Sequence, residues 1–285
     1  MSLGSRWLQD SGGLVWHLRA LRYRNRLWQP FCTQVASWLA DWQPHCRELL
    51  IVGPSAGYSL NASFLARWQK VSVIEPDPLA RWLLRRRFPQ VTWHFETQQA
   101  LASAADLQGL ARRHPEAAIL FSNVLGQLAP DEAQAGSTWR SSLRQALRGR
   151  HWASYHDVAS CQRAPDKLQT RQGRADGLES VLGQFWHGGE LEIVDHGCFA
   201  LGSEQGAGER REKDGESGKE SVAKERTAED IANQNPGSDA PHAWCVWTLR
   251  PGQYHLVEWV SHSACDLHRA QQADQKLAGT VKGPE

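Results

Sequence analysis

The chain has almost no surplus of either charge: 32 Lys and Arg stand against 31 Asp and Glu, a net charge of +1 over 285 residues. A balance that even excludes a surface built as a whole to coat nucleic acid or anionic lipid, so any such partner must be met locally. Long apolar runs are also missing. None approaches the roughly 18 residues a membrane-spanning helix needs, and the opening stretch MSLGSRWLQDSGG lacks the apolar core of a secretory signal. The expectation is a soluble, cytoplasmic protein without membrane insertion. Six cysteines at 32, 46, 161, 198, 245 and 265 never form CxxC. That spacing argues against a zinc ribbon or thioredoxin-like site and favours buried free thiols. With no H-E-x-x-H and no clustered His/Cys spacing, no metal is expected.

Methionine occurs once and tyrosine four times, yet there are 14 Trp. Trp7, Trp16, Trp28, Trp38, Trp42, Trp68, Trp82 and Trp93 crowd the first third, several at helical spacing with Leu and Phe, and read as core. Hydrophobic residues make up 41% of the chain, a little under the globular norm, which points to diluting unfolded segments. The stretch 202–240 is one of these. It carries ten acidic and six basic residues and almost no large apolar side chain, too little to offset its ordering entropy. It reads as a disordered insertion, and 263–285 as a flexible tail. The resulting division is an N-terminal Trp/Arg-rich helical segment over 1–45 and an α/β domain over 46–201 and 241–262.

Within that domain short apolar runs alternate with amphipathic stretches, the order of a parallel sheet covered by helices. Leu49–Val52, Val71–Glu75, Val91–Phe95, Ala117–Ser122 and His151–Val158 read as strands. Leu60, Phe64, Leu65 and Trp68 read as one helical face; Leu79, Trp82 and Leu83 as a second; Trp139, Leu143 and Leu147 as a third, with Ser137 as N-cap and Gly149 beyond the end. Arg85, Arg86 and Arg87 close the second helix, where positive charge offsets the dipole. Upstream, Phe31, Val35, Trp38, Leu39 and Trp42 mark another amphipathic helix, preceded by Arg19, Arg22, Arg24 and Arg26, of which Arg19, Arg22 and Arg26 share a face. Glu190–Leu201 and Trp244–Val260 are β-rich and predict antiparallel closure of one sheet edge, the second reversing at Arg250-Pro251-Gly252-Gln253. The pattern predicts an α/β fold: a mostly parallel sheet with an antiparallel C-terminal edge, covered by helices.

The stretch Leu49 to Leu60, LLIVGPSAGYSL, runs from a buried strand into a small-residue turn and then toward a helix. Gly53, Pro54, Ser55, Ala56 and Gly57 let the backbone turn sharply and let a ligand approach its N–H groups. A Walker loop is excluded because Gly57 is followed by Tyr58. A dinucleotide fingerprint is weakened by Ser55 and Tyr58. The remaining pattern, G-x-S-x-G after the first strand and Glu75 ending the second, resembles the class I S-adenosylmethionine-dependent methyltransferases.

The resemblance spans roughly Leu49 to Val260 without the insertion and implies a Rossmann-like three-layer sandwich with a mostly parallel seven-stranded sheet, helices on both faces, and a cofactor, S-adenosylmethionine. Residues 53 to 57 would seat its methionine part and Glu75, with Asp77 as understudy, would accept bonds from both ribose hydroxyls. Glu96 would lie near the adenine amine and Asn123, in SNVLG, near the transferred methyl. His156 and Asp157, at the end of the fifth strand, are the candidates for proton transfer from the acceptor. Two positions depart from the family: Ile51 stands where it often carries an acid, and Ser55 where it carries the middle glycine. SNVLG gives no support to methylation of DNA bases or protein glutamine, and the acceptor is not identified. The alternatives are a non-catalytic module of the same fold with a partner surface on the N-terminal helices, and a dinucleotide-dependent oxidoreductase.

Overall fold

The computed structural model describes residues 13–96, 101, 103–128, 133–173, 177–199 and 242–262. Trp7, Cys265, the expected insertion 202–240 and the tail 263–285 lie outside them. Two helices open the chain, α1 (Gly13–Tyr23) and α2 (Gln29–Asp41). Five strands then alternate with helices: β1 (Glu48–Val52), α3 (Ala62–Leu65), β2 (Lys70–Ile74), α4 (Pro78–Arg87), β3 (Trp93–Phe95), α5 (Ala104–Arg113), β4 (Ala118–Ser122), α6 (Leu125–Leu128), α7 (Ala133–Leu147) and β5 (Trp152–Cys161). Last come β6 (Arg171–Gly173), α8 (Leu178–Phe185), β7 (Ile193–Asp195), β8 (His242–Arg250) and β9 (Gln253–His262). No helix among the described residues is long and apolar enough to cross a membrane.

The sheet runs β3-β2-β1-β4-β5-β9-β8-β6, with β7 paired to the far half of β5. Strands β1 to β5 are mutually parallel, and β9, β8, β6 and β7 join antiparallel. The expected α/β sheet with an antiparallel edge is therefore present, with nine strands rather than seven; the additional short strands are only three residues each. Strand order reverses between β1 and β4, the switch point where open α/β sheets form a crevice.

Alternation along each strand divides the core in two. Leu50 and Val52 of β1 join Ile119, Phe121, Trp139, Leu143 and Phe185 on one face. Leu49 and Ile51 join Phe31, Val35, Leu39, Phe64, Leu84 and Trp247 on the other. Helix α2 follows its predicted face, burying Phe31, Val35 and Leu39, and Trp42 is its C-cap. Its carbonyls at Leu39 and Trp42 are capped by the Arg67 guanidinium at 2.9 and 2.6 Å. The hairpin β8–β9 reverses at Pro251-Gly252, where Gly252 takes φ +73°.

Several local readings are corrected. The helix expected from Leu60 to Trp68 is a single turn, Ala62–Leu65, started by Asn61, whose side chain accepts from Phe64 N at 2.8 Å. On α4 the buried residues are Ala80 and Leu84, while Trp82 is 53% exposed and carries Arg86 over its ring. Helix α7 begins at Ala133, so Ser137 lies inside it rather than capping it; Gly149 does follow its end, at φ +70°. Arg26 falls beyond the end of α1 and shares no helical face with Arg19 and Arg22. The described cysteines are free; Cys161, Cys198 and Cys245 are buried, Cys32 and Cys46 half-buried.

Trp28 binds the N-terminal helices to the sheet. It is 1% exposed, donates from Nε1 to Leu249 O at 2.8 Å, and packs edge-on against Trp247 and Tyr58. Trp28→Ala should lose about 3–5 kcal/mol of unfolding free energy in urea titrations. Trp82→Ala, on an open face, should stay within about 0.5 kcal/mol of wild type.

Candidate functional site

The turn after β1 is a tight backbone fold held from β2. Gly53 N donates to Ile74 O at 2.9 Å, and Gly53, Ser55 and Gly57 all have positive φ, +64°, +51° and +63°. Pro54, Ala56 and Gly57 are buried. A Cβ at Gly53 would lie 2.7 Å from the Val124 side chain, and one at Gly57 2.9 Å from Leu84 and 3.0 Å from Phe88. Space and backbone conformation together thus require glycine at both positions.

Glu75 follows β2 and faces this turn. Its Oε2 accepts from Ser55 N at 2.7 Å and its Oε1 from Asp77 N at 3.0 Å. The Arg81 side chain donates to the Glu75 carbonyl. Only 6% of Glu75 is exposed, and burial outweighs the two backbone donors, pushing its carboxyl up to about 7. Asp77 caps α4 through Leu79 N at 2.8 Å. Over this corner lies His17 of α1, with Nδ1 2.7 Å from the Tyr58 hydroxyl and Nε2 3.2 Å from Asp77 Oδ2. Arg87 donates to Ala56 O at 2.6 Å, and burial lowers its guanidinium to about 10.

Glu96 follows β3, its backbone N donating to Val73 O at 2.8 Å and its Oε1 3.5 Å from His114 Nε2. Asn123, in the left-handed region at φ +55°, follows β4 and ties it to β5. Its N donates to Tyr155 O at 2.8 Å and its Oδ1 accepts from Asp157 N at 3.0 Å. Asn123 therefore acts as a turn clasp on the edge where β4 stops and β5 continues.

His156 and Asp157, paired in the sequence reading, are separated by strand alternation onto opposite faces of β5. His156 is fully buried: Nδ1 is 2.9 Å from Ser154 Oγ, and Nε2 is 3.2 Å from Cys198 O and 3.4 Å from Glu258 Oε2. His242 meets the other oxygen of Glu258 at 2.7 Å. Burial would raise the Glu258 carboxyl, but the bonds from both imidazoles outweigh it and hold Glu258 low. With no exposure to solvent, His156 is a structural partner of Glu258 and is withdrawn as a proton-transfer candidate.

Asp157 lies on the opposite face, beside a register shift between Asp157 and Ala159. Its Oδ2 lies 3.1 Å from His196 Nδ1 and 3.0 Å from His255 Nδ1. These bonds overcome the effect of burial and hold the carboxyl well below the usual range. Ser160 Oγ is 3.2 Å from His196 Nε2, and the Gln253 amide nitrogen is 3.2 Å from His255 Nε2. Ser160 and Gln253 also line a cavity of about 970 Å³, together with Tyr23, Arg163, Glu192 and Arg250. Sequence reasoning missed His17, His196 and His255. For His196 a local signal existed: Asp195 Oδ1 accepts from Gly197 N at 2.7 Å, and Gly197 takes φ +65°, an Asx turn legible in Asp-His-Gly.

Fold and site together define an open α/β sheet with a glycine turn and a carboxylate at adjacent strand ends. No family model matches the chain, and no curated protein does. Among solved structures it is similar to SAM-bound CalS10, an amino pentose methyltransferase from Micromonospora echinaspora, at 19% identity and a TM-score of 0.31, over 51% of this chain and 57% of that one. The N-methyltransferase NodS from Bradyrhizobium japonicum WM9, in complex with S-adenosyl-l-homocysteine, aligns at 15% identity and TM-score 0.34, over 61% of this chain and 90% of that one. The sugar N-methyltransferase KedS8 from Streptoalloteichus sp ATCC 53650 aligns at 14% and 0.32, over 96% and 89%. The fold described above rests on strand order and not on these likenesses.

The raised carboxyl of Glu75 sets a pH dependence. A protonated Glu75 favours the folded chain, a contribution fully present below the unfolded value of about 4.5 and lost as pH rises through about 7. The loss is on the order of 3 kcal/mol. In urea titrations at pH 5 and pH 8, Glu75→Gln should remove that component, so its stability falls less with pH than wild type; parallel profiles would contradict the assignment.

Proposed function

We propose that the chain binds S-adenosylmethionine at the ends of β1 and β2 and transfers its methyl group to an acceptor on the β4–β5 edge. The observation that carries the reading is the 2.7 Å bond between Ser55 N and Glu75 Oε2, which joins the small-residue turn to a single buried carboxylate. The donor set fits the cofactor. Each Glu75 oxygen has one backbone donor and retains a lone pair, and the burial that raises its carboxyl leaves it short of donors that two ribose hydroxyls would supply. Glu75 would hold the ribose, and residues 53 to 57 would lie along the methionine part.

When bound, the cofactor supplies an electrophilic methyl on a sulfonium. The protein's task is then alignment and exclusion of water rather than strong acid–base work. Asn123 would fix the edge over which the acceptor enters, and Asp157 with its two imidazoles would border the acceptor side. The acceptor itself is unidentified.

A second reading, a non-catalytic module, is favoured by Val124, which fills the space over Gly53 at the switch point. Calorimetry with S-adenosylmethionine, S-adenosylhomocysteine and NAD(P)H separates the readings. The leading one expects micromolar heat from the first two alone; heat from none supports the module, and heat from NAD(P)H alone supports an oxidoreductase. Glu75→Ala should weaken binding by on the order of 2 kcal/mol. Because the ribose hydroxyls prefer the ionised carboxylate, affinity should rise with pH through about 7 in wild type and not in Glu75→Ala. Unchanged affinity in the variant would remove Glu75 from the site.

A further inference from the structure

We propose that Asp157, His196 and His255 form a mononuclear binding site for a divalent transition-metal ion of the zinc class. Three strand-end segments far apart in sequence contribute: the register shift of β5, the Asx turn after β7 and the start of β9. Their ligand atoms, Asp157 Oδ2 and Nδ1 of both imidazoles, all lie within 4.8 Å of one another. The two nitrogen–oxygen separations are 3.0 and 3.1 Å. Ligands about 2.1 Å from an ion stand about 3.0 Å apart across an octahedral edge and about 3.4 Å apart across a tetrahedral one, so little movement is needed to load the site. Two imidazoles and one carboxylate are a donor set for zinc, iron(II), manganese or nickel rather than for calcium or magnesium, which take oxygen ligands.

The outer ring atoms supply the second observation. A metal-bound imidazole is normally oriented by a hydrogen bond on its other nitrogen. Here each ring has such a partner: Ser160 Oγ at 3.2 Å from His196 Nε2, and the Gln253 side-chain amide at 3.2 Å from His255 Nε2. In the loaded site both Nε2 atoms carry the proton, His196 donates to Ser160 Oγ, and the Gln253 amide turns to present its oxygen. Gly126 leaves the neighbouring space small: a Cβ there would lie 3.5 Å from Asp157 O and 3.8 Å from His196 Cβ.

Access is adequate for an ion and poor for anything larger, since the side chains of Asp157, His196 and His255 are 14%, 20% and 11% exposed. The cavity of about 970 Å³ lies beyond the imidazole rings, with their partners Ser160 and Gln253 in its wall but none of the three ligand residues. With three protein ligands, coordination is left incomplete, as in catalytic rather than structural metal centres. The remaining positions suit water, since the Nδ1 ligand atoms are on the ring side away from Ser160 and Gln253. The ion site is independent of whether the chain binds S-adenosylmethionine.

The test uses the untagged full chain, stripped with a chelator and titrated calorimetrically with Zn²⁺ and with Mg²⁺. The expected result is one Zn²⁺ per chain, no comparable Mg²⁺ binding, and a rise in melting temperature on loading. Because Asp157 and His255 are largely buried and their variants could fold poorly, His196→Ala is the primary variant, with Ser160→Ala beside it. His196→Ala should weaken Zn²⁺ binding by at least about tenfold and abolish the melting shift, and Ser160→Ala should weaken it by less. Cobalt(II) absorption in wild type should report nitrogen and oxygen ligands without a thiolate band. Absence of stoichiometric binding in wild type, Zn²⁺ affinity unchanged in His196→Ala, or a thiolate band would each overturn the proposal.

Discussion

The 2.7 Å bond from Ser55 N to the Glu75 carboxylate is the constraint on which the corner between β1 and β2 depends. It anchors a non-glycine residue at φ +51° in the turn after β1, between the bonds from Gly53 N to Ile74 O and from Gly57 N to Pro54 O. The same carboxylate accepts Asp77 N, which sets the start of α4, and Asp77 in turn meets His17 of α1. One buried side chain therefore fixes the loop, the crossover helix and the seat of the first helix. Such a group is costly to ionise in its surroundings, and its carboxyl rises to about 7 for that reason. A buried carboxylate spent only on its own backbone is a poor use of a desolvated charge, which is the physical ground for reading the corner as a ligand site.

Much of the sheet was legible in the sequence because fully buried parallel strands read as unbroken apolar runs. All five parallel strands occur where those runs fall, within two residues at most boundaries. The hairpin turn was legible from Pro251-Gly252, which locks its own backbone. The face of α4 was not. Arg81 reaches inward to the Glu75 carbonyl and lies over Phe95, so a charged residue occupies a position that periodicity gives to an apolar one, and Trp82 is turned out. Helix α3 was overread because Leu60 and Trp68 are buried from turns on either side of a single helical turn. Glu75 and the glycine turn could be joined from sequence because neighbouring parallel strands bring their ends together. His17, His196 and His255 could not, because no spacing relates residues that meet only through tertiary packing.

Trp-rich packing explains how the N-terminal helices belong to the sheet without a matching run of aliphatics. Phe31 stacks on Trp247 at 4.7 Å between centroids, and Trp28 lies 5.1 Å from Trp16 and from Trp247. These rings extend the core over the antiparallel edge, where β8 alone contributes Trp244 and Trp247 to opposite faces. Large aromatic surfaces thus fill the gap between α1, α2 and the hairpin that a few leucines would leave open. Tyr23 at the end of α1 reaches the cavity wall, so the first helix also bounds the pocket.

Two carboxylates on the antiparallel edge are each flanked by two histidines, yet they differ in what they can do. Glu258 is 0% exposed, and its imidazole partners come from β5 and β8, neighbours of β9 in the sheet. Solvent cannot reach it, so its charge can only be offset in place, and removing either histidine would take away one of the two imidazoles that offset it. Asp157 lies on the other face, where β5 slips register and outruns β4, and its imidazoles are held from the outside by Ser160 and Gln253 at a cavity wall. The same pair of residue types is therefore sealed from solvent on one face and partly open to it on the other. Strand alternation at His156-Asp157 separates the two clusters, because successive side chains cannot share a face.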